Sequence, residues 1–417
     1  MTDDPVPAAL AQAFADEWGR IVASLVRITG DWALAEDAAQ EAFAAAASTW
    51  PRDGVPRRPG AWLTTVARNR ALDRIRRGAT ERSALAVLRE EGEGMDDLEP
   101  DDVPDDRLRL IFTCCHPALP LEARVALTLR TLCGLTVEEI GHAFGATEAA
   151  TAKRLVRARQ KIQRAGIPYR VPSGAALPAR LSGVLGVLYL LFTEGYAPSG
   201  GTAVVRPELS GEAIRLTTVL AQLMPEEPEV LALLALEHFQ DSRRLARTAD
   251  DGALVPLDEQ DRRLWSPEAI ATGQQALEAA ERLTEAPGPT LRQARIAGHH
   301  ARSLATGRVE TAAIAAEYTA LVALSPSPHL ALARAVAVGL AHGPDAGLAL
   351  LADLERAGAL TGASSLPAAR ADLLRRAGRD PEAAEAYRAA IALVRTEPER
   401  GFLERRLREV TGAPDPR

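Results

Sequence analysis

The chain has 417 residues, more than one hydrophobic core usually serves, so its length predicts two or three domains. It carries 49 lysines and arginines against 56 aspartates and glutamates, and the formal net charge of -7 excludes a protein that coats nucleic acid through a global positive charge. A nucleic-acid surface would therefore have to be local. Aromatic residues make up only 4% of the chain while alanine and leucine are abundant, which favours helices over sheets.

The cysteines and the N-terminal sequence indicate the cellular compartment in which the protein is expected. Cys114, Cys115 and Cys133 are odd in number and irregularly spaced, which argues against a disulfide framework and indicates a reducing environment. The opening MTDDPVPAAL lacks the basic and apolar regions of a signal peptide. No window of about 18 uninterrupted apolar residues is present. We therefore expect a cytoplasmic protein without a membrane segment.

Two helices are predicted over residues 8–50. The first runs from about Ala8 to Thr29 and ends at Gly30, and Asp31 is a candidate N-cap for the second. The second, WALAEDAAQEAFAAAASTW, has an alanine face and a polar face. The pattern is that of an ordinary amphipathic helix or of an acidic face to which another protein docks. The polar face carries Asp37, Gln40 and Glu41.

The segment Trp62–Arg77, WLTTVARNRALDRIRR, follows a loop with three prolines and has apolar residues at helical spacing. Its polar residues recur at intervals of three or four, so they fall on two adjoining faces. Such a helix suits a polyanion, with Trp62 available to stack on a base; a solvated surface helix has the same pattern. The two faces carry Arg70, Arg74 and Arg77, and Asn69, Asp73 and Arg76.

Residues 89–106, REEGEGMDDLEPDDVPDD, form a charge run punctuated by glycine and proline, so a linker is predicted there. The segment after it contains Cys114, Cys115 and His116. Three consecutive residues cannot all reach one ion in normal geometry, and no fourth ligand lies at the spacing of a zinc finger. We therefore expect buried thiols and a turn rather than a metal site.

The stretch Leu121–Gln163 has the pattern helix, turn, helix, short turn, helix. Thr136 and Glu139 form a predicted capping box, and Thr147 begins the last helix. A basic helix that follows a short turn is typical of a helix-turn-helix, although a generic three-helix bundle has a similar pattern. The basic stripe on that helix consists of Lys153, Arg157, Lys161 and Arg164, flanked by Arg154 and Arg159.

Residues 171–417 predict further amphipathic helices, and only DDGALVPLDEQDRRLW is not clearly helical. Its carboxylates, Asp258 and Asp261, suit acid–base chemistry. With Arg262 and Arg263 beside them and no nucleophile nearby, a structural turn held by Asp–Arg pairs is the favoured interpretation. The histidines are interpreted as core or surface residues rather than ligands: His238, His299 and His300.

The C-terminal part repeats. Turn glycines at Gly307, Gly343 and Gly378 are 36 and 35 residues apart, close to the tetratricopeptide period of about 34. The repeat is clearest over residues 297–412. Stacked helix pairs of this kind make concave surfaces that bind proteins.

AEDAAQEAF followed by PGAWLTTVARNRALDRIRR resembles region 2 of a bacterial sigma factor of the extracytoplasmic-function (ECF) group, and the helix-turn-helix resembles region 4. The resemblance implies that the acidic helix binds the β′ clamp helices of RNA polymerase, that region 4 meets the β flap, and that the basic helices bind promoter DNA. It assigns core-polymerase binding to Asp37, Gln40 and Glu41; the -10 element to Trp62, Arg68, Asn69, Asp73, Arg74 and Arg77; and the -35 element to Lys153, Arg154, Arg157, Arg159 and Lys161.

The sequence departs from the usual region 4 pattern at Gly141, where alanine is commoner, and at Ala152, where a β-branched residue is usual. We still expect the region 4 fold despite these differences, but they make the promoter sequence unpredictable.

The stretches YLLFTEGY, EAIRL, DGALVPLDEQDR and AGRDPEAAEAY extend the resemblance to the ECF subgroup with a large tetratricopeptide-like extension. It implies an all-α sigma factor that is not an enzyme, needs no cofactor, and is modulated by its extension or by a partner bound there. The expected organisation is region 2 (8–82), an acidic linker (83–106), region 4 (107–170) and the extension (171–417).

In this family the connector threads polymerase channels, so the acidic linker is also a candidate mimic of nucleic acid in a basic channel. Mere solubilisation is the alternative for that segment. Two rivals to the sigma-factor interpretation stay open: a polymerase-independent helix-turn-helix regulator with a helical sensor domain, and an enzyme built around the Asp258–Arg263 segment.

Overall fold

A computed structural model describes residues 5–78, 106–144, 146–174, 176–196, 206–249, 253–394 and 396–412. Every regular element in these ranges is helical, apart from an isolated bridge between Thr248 and Leu254, so the all-α prediction is confirmed. The chain divides into two compact units, Met1–Val187 and Leu188–Arg417. Nearly all of the predicted acidic linker, together with Gly145, Asp251 and Gly252, lies outside the described residues.

The first unit begins with three helices. Gly30 has φ 65°, which ends the first helix, and the Asp31 carboxylate accepts hydrogen bonds from the backbone N–H groups of Ala33 (2.9 Å) and Leu34 (3.1 Å). The predicted N-cap is therefore confirmed, because the side chain satisfies donors that a helix start leaves free. The helices are α1 (Pro5–Thr29), α2 (Trp32–Asp53) and α3 (Pro59–Gly78).

The next four helices contain the predicted helix-turn-helix. Thr136 and Glu139 bond reciprocally, N–H of Glu139 to the Thr136 hydroxyl at 3.1 Å and N–H of Thr136 to the Glu139 carboxylate at 2.7 Å, which confirms the capping box. Thr147 caps the following helix by accepting from the N–H of Ala150. The helices are α4 (Asp106–Cys114), α5 (Leu121–Leu132), α6 (Val137–Ala143) and α7 (Glu148–Arg164).

The first unit also includes the start of α8 (Ala176–Tyr196). The Arg180 guanidinium donates to the carbonyl of Phe112 at 2.6 Å, and the Cα of Gly183 faces the carbonyl of Cys115. These contacts join α8 to α4, so the compact unit extends past the boundary at residue 170 expected from the sequence.

The second unit is a succession of paired helices. Gly307, Gly343 and Gly378 all have positive φ and lie between consecutive helices, where a glycine relieves the strain of that backbone conformation. Their regular spacing thus corresponds to a regular alternation of helices and turns. The helices are α9 (Pro207–Leu223), α10 (Pro228–Asp241), α11 (Pro267–Leu283), α12 (Pro289–Thr306), α13 (Thr311–Leu324), α14 (Pro328–His342), α15 (Pro344–Arg356), α16 (Ser365–Arg376), α17 (Asp380–Leu393) and α18 (Glu397–Thr411).

Candidate nucleic-acid interface

Helix α7 presents a basic stripe to solvent. Its apolar side, Leu155, Ala158 and Ile162, is buried. The opposite side exposes the predicted -35 residues Lys153, Arg157 and Lys161. A groove of about 520 Å³ between α5 and α7 is lined by Arg157 and Lys161 among others. The stripe therefore offers several donors along one helix face, as phosphate and base-edge contacts require.

Two other predicted -35 residues have intramolecular partners. Arg154 lies 3.8 Å from the exposed Glu122 carboxylate, an ion pair that solvent screens. Arg159 instead lies away from the exposed stripe, and its guanidinium bonds the carboxylate of Glu36 at 2.5 Å. The structure thus brings three of the five predicted residues together at the surface. The other two form ion pairs with carboxylates of the same chain.

On α3, Trp62 is half-buried and packs edge-to-face on Trp50, with ring centroids 5.9 Å apart. Asn69 and Arg77 are exposed, whereas Arg68 is half-buried. The helix therefore displays part of the predicted -10 set to solvent. Asp73 is half-buried, with Arg76 3.9 Å from its carboxylate.

Arg74 joins the predicted -10 surface to the predicted polymerase-binding surface. Its guanidinium bonds Asp37 at 2.8 Å and also Glu41, and these hydrogen bonds raise the pKa of Arg74 above its ordinary value. Gln40 lies exposed beside them. Asp37 and Glu41 remain partly exposed, so a protein that docks on α2 would compete with Arg74 for these carboxylates.

Glu36 is the functional candidate that the sequence analysis missed. It is only 2% exposed, and its carboxylate accepts from Arg130 (2.9 Å), Arg159 (2.5 Å) and the Thr131 hydroxyl (3.1 Å). Its neighbour Asp37 is exposed, so the presence of acidic residues at this point of α2 does not indicate which of the two carboxylates is buried. A glutamate on the alanine side of α2 was the only available signal, since its partners lie far away in sequence.

The contacts around Glu36 belong to a larger interface between α1–α3 and α4–α7. The indole N–H of Trp18 donates to the carbonyl of Thr131 at 3.1 Å. Gly134, with φ 76°, faces the ring of Phe14, where an added Cβ would lie 2.5 Å from Cζ. The two groups of helices therefore pack directly on each other, and the basic helix α7 is attached to α2 through Arg159 and Glu36.

The turn before α7 is equally tight. A Cβ on Gly141 would lie 2.8 Å from the carbonyl oxygen of Ala146 and 3.3 Å from the Thr151 hydroxyl. Gly141 thus allows α6 to approach the turn closely.

The cysteines and the Asp–Arg segment show no catalytic arrangement. Cys114, Cys115 and Cys133 are buried and form no disulfide with one another, and burial raises the pKa of Cys115 to about 11. Hydrogen bonds from Arg263 lower the pKa of Asp261, which opposes a role as a general acid, and Asp258 bonds Arg376 at 2.8 Å. In the described ranges, no three His, Cys, Asp or Glu residues are grouped as metal ligands.

Helix α8 is long and apolar enough to cross a membrane by length and composition alone. A core helix of a globular protein passes the same test, and one such helix says little about a membrane.

Comparison with known proteins bears directly on these surfaces. Residues 15–81 match the model for Sigma-70 region 2, residues 109–162 match Sigma-70, region 4, and residues 180–281 match a family of unknown function, DUF6596. The ECF RNA polymerase sigma factor SigL of Mycobacterium tuberculosis is 32% identical over 38% of this chain and 93% of its own length. The chain belongs to the ECF RNA polymerase sigma factors.

Two further relatives match more of this sigma factor. The probable ECF RNA polymerase sigma factor SigI of Mycobacterium tuberculosis is 29% identical over 55% of this chain and 85% of its own. An uncharacterized protein, R00370, of Rhizobium meliloti is 40% identical over 94% of this chain and 93% of its own, so the similarity includes the extension. Sigma-factor domains imply binding to core RNA polymerase and promoter DNA, and the family regulates transcription without being enzymatic.

Proposed function

We propose that this sigma factor directs transcription initiation in the cytoplasm by reading the -35 element with α7 and engaging and helping to melt the -10 element with α3. The exposed Lys153–Arg157–Lys161 stripe on a capped helix is the observation that carries this proposal. The polar face of α2 would dock on the β′ clamp helices, and the region around α7 on the β flap. Trp62 and Asn69 are the candidates for contact with unpaired bases.

Promoter binding on this scheme requires the first unit to open. The two elements are named for positions about 25 base pairs apart, which corresponds to about 85 Å along B-form DNA. In the structure, Arg159 of α7 bonds Glu36 of α2 directly. The helices that would read the two elements therefore have to separate, and we infer that polymerase and promoter provide the binding energy to separate them.

The -35 assignment predicts a change of specificity for Arg157→Ala. If Arg157 bonds a guanine, its loss should reduce binding to the cognate -35 duplex by about 1–3 kcal/mol and flatten the preference at one base pair. Binding to a panel of single-base variants, measured by fluorescence anisotropy at fixed salt, tests this.

Arg170→Ala is the matched control, since it removes an exposed arginine after the end of α7. A uniform loss across the whole panel would show that Arg157 contacts only phosphate, and no loss would contradict the assignment of α7.

The extension is proposed to modulate the activity of regions 2 and 4, by itself or through a protein bound to its paired helices. A chain ending at Val187 keeps the Arg180 bond to Phe112 and is the appropriate truncation. In-vitro transcription with core polymerase should differ between this chain and the full chain. Higher activity on truncation indicates autoinhibition, lower activity indicates a required part, and equal activity contradicts modulation.

A further inference from the structure

A cavity of about 390 Å³ lies among α12, α13 and α14 in the second unit. This volume is within the range of small-molecule sites, about 300–1,000 Å³. Most of its wall is apolar and includes Ile314, Leu332 and Val336. Polar groups are contributed by His300, Tyr318, His329 and Thr311.

Three arginines lie beside aromatic rings in the same unit. The Arg243 guanidinium carbon is 5.9 Å from the ring centroids of Tyr196 and of Trp265, and that of Arg247 is 3.9 Å from the Tyr196 centroid. Arg262 lies 6.0 Å from the Trp265 centroid, and its guanidinium donates to the carbonyl of Ser303. In the part of the chain that is described, none of the three lies within 4.0 Å of a carboxylate oxygen.

His300 lines the cavity and is close enough to Arg243 and Arg262 for their charges to act on it. Burial is the main cause that lowers the pKa of His300 to about 4, and the positive charges of Arg243 and Arg262 add to it. A neutral His300 therefore lines the cavity next to two guanidinium groups. Tyr318, which also lines the cavity, is near enough to Arg243 for that charge to act on its hydroxyl.

This concentration of positive charge is costly without a counter-charge. Burial lowers the pKa of Arg243, whose charged form is poorly solvated where it lies. The Nε atom of Arg247 and the indole nitrogen of Trp265 are buried and have no hydrogen-bond partner among the residues that the structure describes. The rings stabilise the cations only in part. An anion at this place would supply the missing charge and acceptors.

We propose that this cavity is a binding site for a small amphiphilic carboxylate. Its carboxylate head pairs with Arg243 and Arg262, and its apolar body lies between α13 and α14. The apolar wall favours a hydrocarbon body, and the arginines select the negative head. The site goes beyond the proposed role in initiation and gives the extension a ligand class to which it responds.

Isothermal titration of the full chain with octanoate and 4-phenylbutyrate tests the proposal, with 1-octanol as the neutral comparison. At least one carboxylate should bind saturably, and octanol about tenfold or more weakly, because it lacks a charge-assisted hydrogen bond. Absence of saturable binding by both carboxylates overturns the proposal, as does equal affinity for octanoate and octanol.

Substitutions test separately the arginines that would bind the carboxylate and the apolar wall that would hold the hydrocarbon body. Arg262→Gln should weaken binding of the carboxylate about tenfold, while Arg263→Gln, at the adjacent exposed residue paired with Asp261, should not. Ala333→Phe, at a half-buried position in the wall, should fill the cavity and abolish binding. Thermal melts confirm that each variant is folded. Unchanged affinity in folded Ala333→Phe overturns the proposal, and all these measurements are independent of promoter activity.

Discussion

Glu36 in the first unit and Glu237 in the second are both almost fully buried, but their surroundings differ in kind. Glu36 is matched by two arginines and a threonine hydroxyl. Within the described part of the chain, Glu237 accepts one hydrogen bond, from the Thr217 hydroxyl at 3.1 Å, and its other oxygen has no partner. Burial raises the pKa of Glu237 well above its ordinary value, because the charged form is poorly solvated there.

The difference lies in what each buried carboxylate would gain or lose on exposure to water. When α2 leaves α7, the carboxylate of Glu36 and its arginines all regain hydration, which offsets most of the attraction they lose. Exposure of Glu237 would let its carboxyl ionise, but its apolar neighbours would lose their packing. The Glu36 contacts are therefore the part of this interface that the proposed opening would disrupt at the least cost, whereas the contacts of Trp18 and Phe14 would lose their packing.

Replacing Glu36 with alanine should have the largest effect. It leaves Arg130 and Arg159 without their buried counter-charge, which costs about 3–5 kcal/mol in the closed arrangement. We expect a larger radius of gyration in small-angle scattering and tighter binding to a -35 duplex without polymerase. Glu122→Ala, which removes a 78% exposed partner of Arg154, should cost at most about 1 kcal/mol and leave the radius unchanged. A compact Glu36→Ala chain would contradict the role of this contact.

Gly134→Ala should weaken the same interface by a steric route. The new Cβ would meet the Phe14 ring and the backbone would be strained at φ 76°, together about 2–4 kcal/mol. Gly166→Ala has similar strain at φ 57° but nothing within 4 Å, so about 1 kcal/mol is expected. Urea denaturation of both variants measures the difference, and equal losses would show that the Phe14 contact is not tight.

The smallest effect concerns Glu237 and appears as a pH dependence. Because its folded pKa is raised, the folded state binds a proton that the unfolded state releases above the ordinary glutamate value of about 4.3. The stabilisation is complete below that value and is lost as pH rises toward the folded pKa. Glu237→Gln should remove this part of the slope in a urea-denaturation series, and identical slopes for both proteins would mean that Glu237 is ionised in the fold.

Local signals in the sequence were sufficient for the helices and caps. Asp31 and the Thr136–Glu139 pair act within one helical turn, so their roles follow from neighbouring residues alone. The buried state of Glu36 depends on partners 94 to 123 residues away, and no periodicity in α2 carries that information. For the same reason the sequence assigned Arg159 to DNA and did not reveal its intramolecular bond.

The assignment of the DNA-binding residues, Arg159 included, stays a prediction. The side chains of Lys153, Arg157 and Lys161 are exposed, which is compatible with this assignment. Arg74 is also exposed but is paired with Asp37, so exposure alone does not make an arginine available to DNA. The periodicity of a helix predicts which face carries these side chains. It does not predict which acidic residue elsewhere in the chain forms an ion pair with them.

Gly141 limits how this protein can be re-engineered. Because its Cα faces the carbonyl of Ala146, a helix α6 carrying the alanine commoner in this family would displace the turn that precedes Thr147. A chimera that exchanges α7 alone should keep the native turn geometry, whereas one that brings in a foreign α6 must also bring the turn that evolved with it. An exchange that includes α6 therefore calls for α6, the turn and α7 together, residues 137–164.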